Sequence, residues 1–142
     1  MFMIYEPRDD SHMLEKQVKK FAVGRVLDMG TGCGIQALAA LEKTKDVEAC
    51  DINKEAVDFV KGLGVNAYQS DLFENVEGKF DLIIFNPPYL PLDKDEDEES
   101  RIVTTGGEKG YEIIEKFLKE AKNYLNKDGV ILLVFSTLSG NV

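Results

Sequence analysis

Short apolar runs alternate along this chain with stretches in which apolar residues return every third or fourth position, the pattern of strands alternating with helices. Val26–Gly30, Val47–Asp51, Val65–Ser70, Phe80–Phe85 and Val130–Phe135 are the runs, too short for helices and rich enough in Val, Ile, Leu and Phe to be strands of a parallel sheet. Between them, three sets share helical faces: Ile35, Leu38 and Leu41; Val57, Val60 and Leu63; and Tyr111, Ile114, Phe117, Leu118, Ala121 and Leu125. Asn53 is placed to cap the second of these helices, and Asp128-Gly129 to end the third. Ahead of the first run, Leu14, Val18 and Phe21 predict a helix capped by Ser11 and ending near Ala22, after an extended Tyr5-Glu6-Pro7. Strands alternating with helices imply right-handed crossovers and an α/β, doubly wound, mainly parallel sheet. Strand order 3-2-1-4-5, counted from Val26, puts the switch point between Val26–Gly30 and Phe80–Phe85.

Composition narrows the class. A chain of 142 residues, 44% hydrophobic and 30% charged, is read as one globular domain spanning residues 1–142 with a core of its own. No run approaches the roughly 18 apolar residues of a membrane span. The amino terminus lacks the basic-then-apolar order of a signal peptide, so a cytoplasmic protein is expected. Seventeen Lys and Arg against 26 Asp and Glu give a net charge of −9, which opposes non-specific binding to a phosphate backbone. Cys33 and Cys50 have no metal-ligand spacing and read as reduced, packed thiols, and no metal site is expected. The like-charged run Asp93–Glu99 reads as a solvated loop.

The candidate chemistry lies where the strands end. Phe80–Phe85 runs straight into Asn86-Pro87-Pro88-Tyr89, and the two prolines, lacking N–H groups, force a rigid extended corner. The Asn86 side-chain oxygen and the Pro87 carbonyl are acceptors suited to the hydrogens of a flat NH2 group, and Tyr89 suits its planar face. Such a nitrogen is a poor nucleophile because its lone pair is conjugated, so holding it in line with an electrophile supplies most of the catalysis. Gly30-Thr31-Gly32-Cys33-Gly34 lets the backbone lie against a ligand at a helix amino terminus. A dinucleotide fingerprint would have its third glycine where Ile35 stands, and Asp28 would repel a pyrophosphate. Asp28 suits a ligand carrying an ammonium group instead. Asp51, about twenty residues after the loop, suits ribose hydroxyls, and Asp71-Leu72 suits an adenine amine and ring.

Taken together, YEPRDDS, DMGTGCG, CDIN, SDLF and NPPY resemble the class I S-adenosylmethionine methyltransferases. Among these the chain is most similar to the HemK-type release-factor glutamine methyltransferases, in their archaeal and eukaryotic single-domain branch. The resemblance implies a Rossmann-like class I fold, S-adenosyl-L-methionine as cofactor, and methylation of a glutamine amide in a peptide-chain release factor. Carried over by position, Ser11, Asp28, Gly30, Gly32, Asp51, Ile52, Asp71, Leu72 and Asn86 contact the cofactor, while Asn86, Pro87, Pro88 and Tyr89 hold the substrate amide. It also implies a small zinc-binding activator subunit that adds a strand along Val65–Ser70.

That family's fold continues past the fifth strand with a helix and an antiparallel pair of strands. The chain is therefore expected to be shortened at its carboxyl end, lacking the last strands and leaving Val130–Phe135 as an open apolar edge that invites self-association. Two other functions stay open: methylation of an exocyclic amine in DNA or RNA, since the same corner serves any planar NH2, and a non-catalytic cofactor-binding module.

Overall fold

The structure, a computed structural model, describes residues 2–5, 10–86 and 112–134. In chain order its elements are β1 (Phe2–Tyr5), α1 (Asp10–Phe21), β2 (Arg25–Met29), α2 (Ile35–Leu41), β3 (Asp46–Asp51), α3 (Lys54–Gly62), β4 (Asn66–Gln69), β5 (Phe80–Phe85), α4 (Glu112–Ala121), a 3-10 turn at Lys122–Tyr124, and β6 (Leu125–Val134). All six strands pair in parallel, in the order β1-β6-β5-β2-β3-β4. The expected 3-2-1-4-5 arrangement is present as β4-β3-β2-β5-β6, with one further strand beyond it.

The central strands are apolar on both faces because both faces are covered. Val26, Leu82, Ile84 and Leu132 pack with Leu14 and Val18 of α1, Ala37 and Ala40 of α2, and Val57 and Val60 of α3. On the other face Leu27, Met29, Ile83, Phe85 and Ile131 pack with Ile114, Phe117 and Ala121 of α4 and with Phe73 and Val76. The helix α2 lies on the sheet through its alanines, while Ile35 and Leu38 are partly exposed. Its apolar triad therefore marks the helix without marking the buried face.

The amino ends of the strands are held by polar groups. Arg25 donates to Glu48 at 2.8 Å and lies over the Phe80 ring, while the Tyr68 hydroxyl donates to the other Glu48 oxygen at 2.7 Å. Asp81 joins β2 to β6, accepting from the Arg25 amide at 2.9 Å and from the Asn126 side chain at 3.1 Å. Burial and the neighbouring Glu48 raise the Tyr68 hydroxyl above its ordinary range, which keeps it a donor.

Four expectations are corrected here. The edge of β6 is not open: β1 pairs along it from Phe2 opposite Ile131 to Tyr5 opposite Val134, so the amino terminus covers the strand expected to be bare. The last helix stops at Ala121 and Leu125 already belongs to β6, with Asp128-Gly129 inside that strand as a bulge opposite Asp81. Asp128 takes φ 67°, which locally turns the chain without ending the element. Ser11 lies one residue inside α1, whose first residue is Asp10, and is not its cap. Cys50 is buried as expected, but Cys33 is exposed on the glycine loop. No helix among the described residues is long and apolar enough to cross a membrane.

Candidate functional site

β2 and β5 are neighbours with Met29 opposite Phe85, so the chain leaves both strands at the same level. Gly30 and Asn86 follow directly and stand side by side. A Cβ on Gly30 would lie 3.6 Å from the Asn86 carbonyl oxygen and 3.5 Å from the Phe85 ring, and its φ of 70° is one that residues with side chains avoid. This is the switch point of the sheet, with the glycine loop on one lip and Asn86, exposed, on the other.

The loop is tied down by its backbone. The Gly30 and Thr31 amides both donate to the Cys50 carbonyl, at 2.9 and 3.0 Å, which fastens the loop to β3. Gly34 caps α2 at φ 84°, and a Cβ there would come within 3.1 Å of Leu63 and 3.2 Å of Val60. The close helix contact that a dinucleotide fingerprint assigns to its third glycine is made here one residue earlier.

Asp28 sits beneath the loop, 1% exposed, and its carboxylate accepts the Thr31 hydroxyl at 2.8 Å. Burial pushes its pKa up to about 7, against the Thr31 bond and the Ala37 backbone, which draw it down. A buried carboxylate in that state favours a cationic neighbour that would keep it charged. The Cys50 thiol, raised by burial and by Asp28 and Asp51, is no nucleophile.

Asp51 closes the loop from the side. One carboxylate oxygen accepts the Gly32 amide at 3.0 Å and the other the Asn53 amide at 2.9 Å, while Asn53 in turn caps α3 by accepting the Glu55 amide at 2.8 Å. With an oxygen on each amide the carboxylate is fixed in direction and keeps lone pairs for hydroxyl donors. The space about Gly32 is open, with no atom within 4 Å of where its Cβ would be.

The end of β4 is knitted to the end of β3. The Ser70 amide donates to the Asp51 carbonyl at 3.0 Å, and the Gln69 side chain donates to the Ile52 carbonyl at 2.9 Å. Ile52 is partly exposed, Asp71 exposed and Leu72 buried. Asp28, Gly30, Gly32, Asp51, Ile52, Asp71, Leu72 and Asn86 thus gather at the carboxyl ends of four adjacent strands. Ser11 is carried by α1, which packs on α2, the helix leaving the glycine loop. Pro87, Pro88 and Tyr89, with Glu6, Pro7, the Asp93–Glu99 run and Tyr111, lie outside the described residues.

Two residues at the site are missing from the pattern reading, Thr31 and Ser70. For Thr31 the usable signal is a hydroxyl three residues after a carboxylate that the strand buries. Among the described residues no group of three or more His, Cys, Asp or Glu is placed to hold a metal ion. A cleft of about 450 Å³ opens beside Asp71, lined by Phe73, Glu74, Lys116, Glu120, Asn123 and Tyr124, and includes none of Asp28, Asp51 or Asn86.

The strand ends thus bring together a buried carboxylate at Asp28, a carboxylate at Asp51 directed by two backbone amides, and the exposed Ile52, Asp71 and Asn86. The family described as methyltransferase small domain matches residues 6–140. A candidate protein N5-glutamine methyltransferase of Methanocaldococcus jannaschii is 40% identical over 146 residues, covering 96% of this chain and 74% of the relative. The release factor glutamine methyltransferase of Streptococcus pneumoniae is 34% identical over 124 residues, covering 76% of this chain but only 44% of the relative, so the chain spans less than half of that protein. Among solved structures, an S-adenosylmethionine-dependent methyltransferase of Bacteroides fragilis, in complex with S-adenosyl-L-homocysteine, superposes with a TM-score of 0.56 at 32% identity, over 83% of this chain and 44% of the other.

Proposed function

The chain belongs to the methyltransferase small domain family, and from that premise we propose that it transfers a methyl group from S-adenosylmethionine to the side-chain amide nitrogen of a glutamine in a peptide-chain release factor. One observation supports the reading: the Asn86 backbone stands against Gly30 at the switch point, so a residue suited to a planar NH2 group adjoins the glycine loop.

The residues fit the cofactor. Asp28, buried and ready to ionise beside a cation, suits the ammonium of the methionine moiety. Asp51, its carboxylate directed by two backbone amides, suits the ribose hydroxyls. Ile52, Asp71 and Leu72 suit the adenine. When bound, S-adenosylmethionine supplies a sulfonium methyl group, and the amide lone pair forms the C–N bond as the C–S bond breaks with its electrons left on sulfur.

In this reading the sequence assigns the two amide hydrogens to the Asn86 side-chain oxygen and the Pro87 carbonyl, and the amide plane to Tyr89. Two acceptors hold the nitrogen in line and favour the geometry that frees its lone pair. No strong general base is required, because the nitrogen sheds its proton once it is methylated. Relatives named as protein glutamine methyltransferases, and a net charge of −9, favour a protein amide over a nucleic-acid amine. On its outer side β4 pairs with no strand among the described residues, which leaves a place for a small zinc-binding activator subunit to add a strand.

The test is incubation with methyl-labelled cofactor and equal amounts of release factor and nucleic acid, alongside calorimetry with S-adenosylhomocysteine and NADH. Label in protein, binding of S-adenosylhomocysteine and indifference to NADH are expected. Label in nucleic acid would move the assignment to an exocyclic amine, and binding without any transfer would leave a non-catalytic module.

A further inference from the structure

Resting on the cofactor reading above, we propose that the Ser70 hydroxyl is the positioning group that makes this site select adenine. Ser70 is 3% exposed and touches no open surface of the site. Its hydroxyl nevertheless makes two bonds that shape the site, donating to the Leu72 carbonyl at 2.6 Å and accepting the Asn75 amide at 3.0 Å. The Asn75 side chain donates to the Gln69 carbonyl at 2.9 Å, and the Glu74 amide to the Asp71 carbonyl at 3.2 Å, so residues 69–75 close on themselves around one buried oxygen.

Leu72 is held at φ 52°, a left-handed conformation that opposes its side chain. It persists because its carbonyl is taken up by Ser70 and its side chain is buried. The consequence falls on Asp71 and Leu72 together. The exposed Asp71 carboxylate is an acceptor, and beside it stands the Leu72 amide, which donates to nothing among the described residues. An acceptor next to a donor complements the amino group and adjoining ring nitrogen of adenine, and mismatches the carbonyl and ring N–H of hypoxanthine. The Ser70 amide bond to Asp51 sets this pair at a fixed offset from the ribose carboxylate. Without the hydroxyl, Leu72 relaxes to an ordinary φ and the pair loses its direction.

Calorimetry with S-adenosylhomocysteine and S-inosylhomocysteine tests this on the wild type, Ser70→Ala, Ser70→Thr and Asn75→Ala. The wild type is expected to prefer the adenine compound by about tenfold or more. Ser70→Ala should weaken that compound by about tenfold while changing the hypoxanthine compound by less than about threefold, and Ser70→Thr should restore the preference. If Ser70→Ala does not fold, Asn75→Ala, which opens the same loop, should cut the preference by about threefold. A preference retained in Ser70→Ala, or in Asn75→Ala where that variant stands in, or both compounds weakened equally, overturns the role given to Ser70 and leaves the cofactor reading intact. Failure of the wild type to bind S-adenosylhomocysteine overturns the cofactor reading and this proposal with it.

Discussion

The Thr31 hydroxyl donates to the Asp28 carboxylate at 2.8 Å beneath the glycine loop, and both side chains are buried. The carboxyl group is pushed up to about 7, because the Thr31 hydroxyl and the Ala37 backbone do not replace the water that burial removes. A ligand ammonium would hold it ionised. Below pH 7 binding must then release a proton, so affinity for S-adenosylhomocysteine should fall toward about tenfold per pH unit and level off above it. Calorimetry from pH 5.5 to 8 in buffers of different ionisation heat reads both effects, and a flat profile would remove Asp28 from the ammonium position. Thr31→Val should move the onset to higher pH.

The same group bears on stability, with a sign opposite to that of an ion-paired carboxylate. Folded Asp28 keeps its proton to about pH 7, whereas the ordinary value is 3.8, so between these values the folded state holds the extra proton. The Asp28 contribution to stability therefore declines as pH rises from about 4 to 7. Asn in its place should flatten that decline, so that Asp28→Asn gains stability relative to wild type at pH 8 but not at pH 4. Urea unfolding at the two pH values gives the comparison.

Asn86 is given the substrate amide. Asn86→Ala should lower turnover by roughly a hundredfold, the effect of losing one preorganised polar group, with S-adenosylhomocysteine affinity changed far less. Near-normal turnover at saturating cofactor would make the corner a structural turn only.

Strand β1 is the cover of β6. Deleting residues 1–5 should expose the apolar edge of Leu132 and Leu133 and drive self-association, visible as higher species in sedimentation velocity. A truncated chain as monodisperse as the intact one would show that the β1 pairing does not protect that edge.

The interior of the fold was readable because the sheet is buried on both faces. Apart from Asp81 and Asp28, Phe80–Phe85 and Val26–Met29 are apolar and buried on both faces, and they are too short to be read as helices. The residues of the switch point were readable too, since each sits where an apolar run stops. What escaped was set by pairing across long separations. Phe2–Tyr5 is only four residues, and nothing local distinguishes it from a frayed terminus until β6 is beside it. Leu125 fits the periodicity of α4 but pairs with Phe80, and the sheet prevails over the helix. Thr31 and Ser70 gain their roles from buried partners that sequence spacing does not display.

The central claim is methyl transfer to a protein glutamine, and fragment mass spectrometry tests it most directly. The chain, with and without a small zinc-binding subunit, is incubated with labelled S-adenosylmethionine and the release factor of its own organism, and the modified residue is located. The account predicts one methyl group on a glutamine side-chain nitrogen in a glycine-flanked loop. Label on an adenine amine, or on no protein glutamine under either condition, would contradict it.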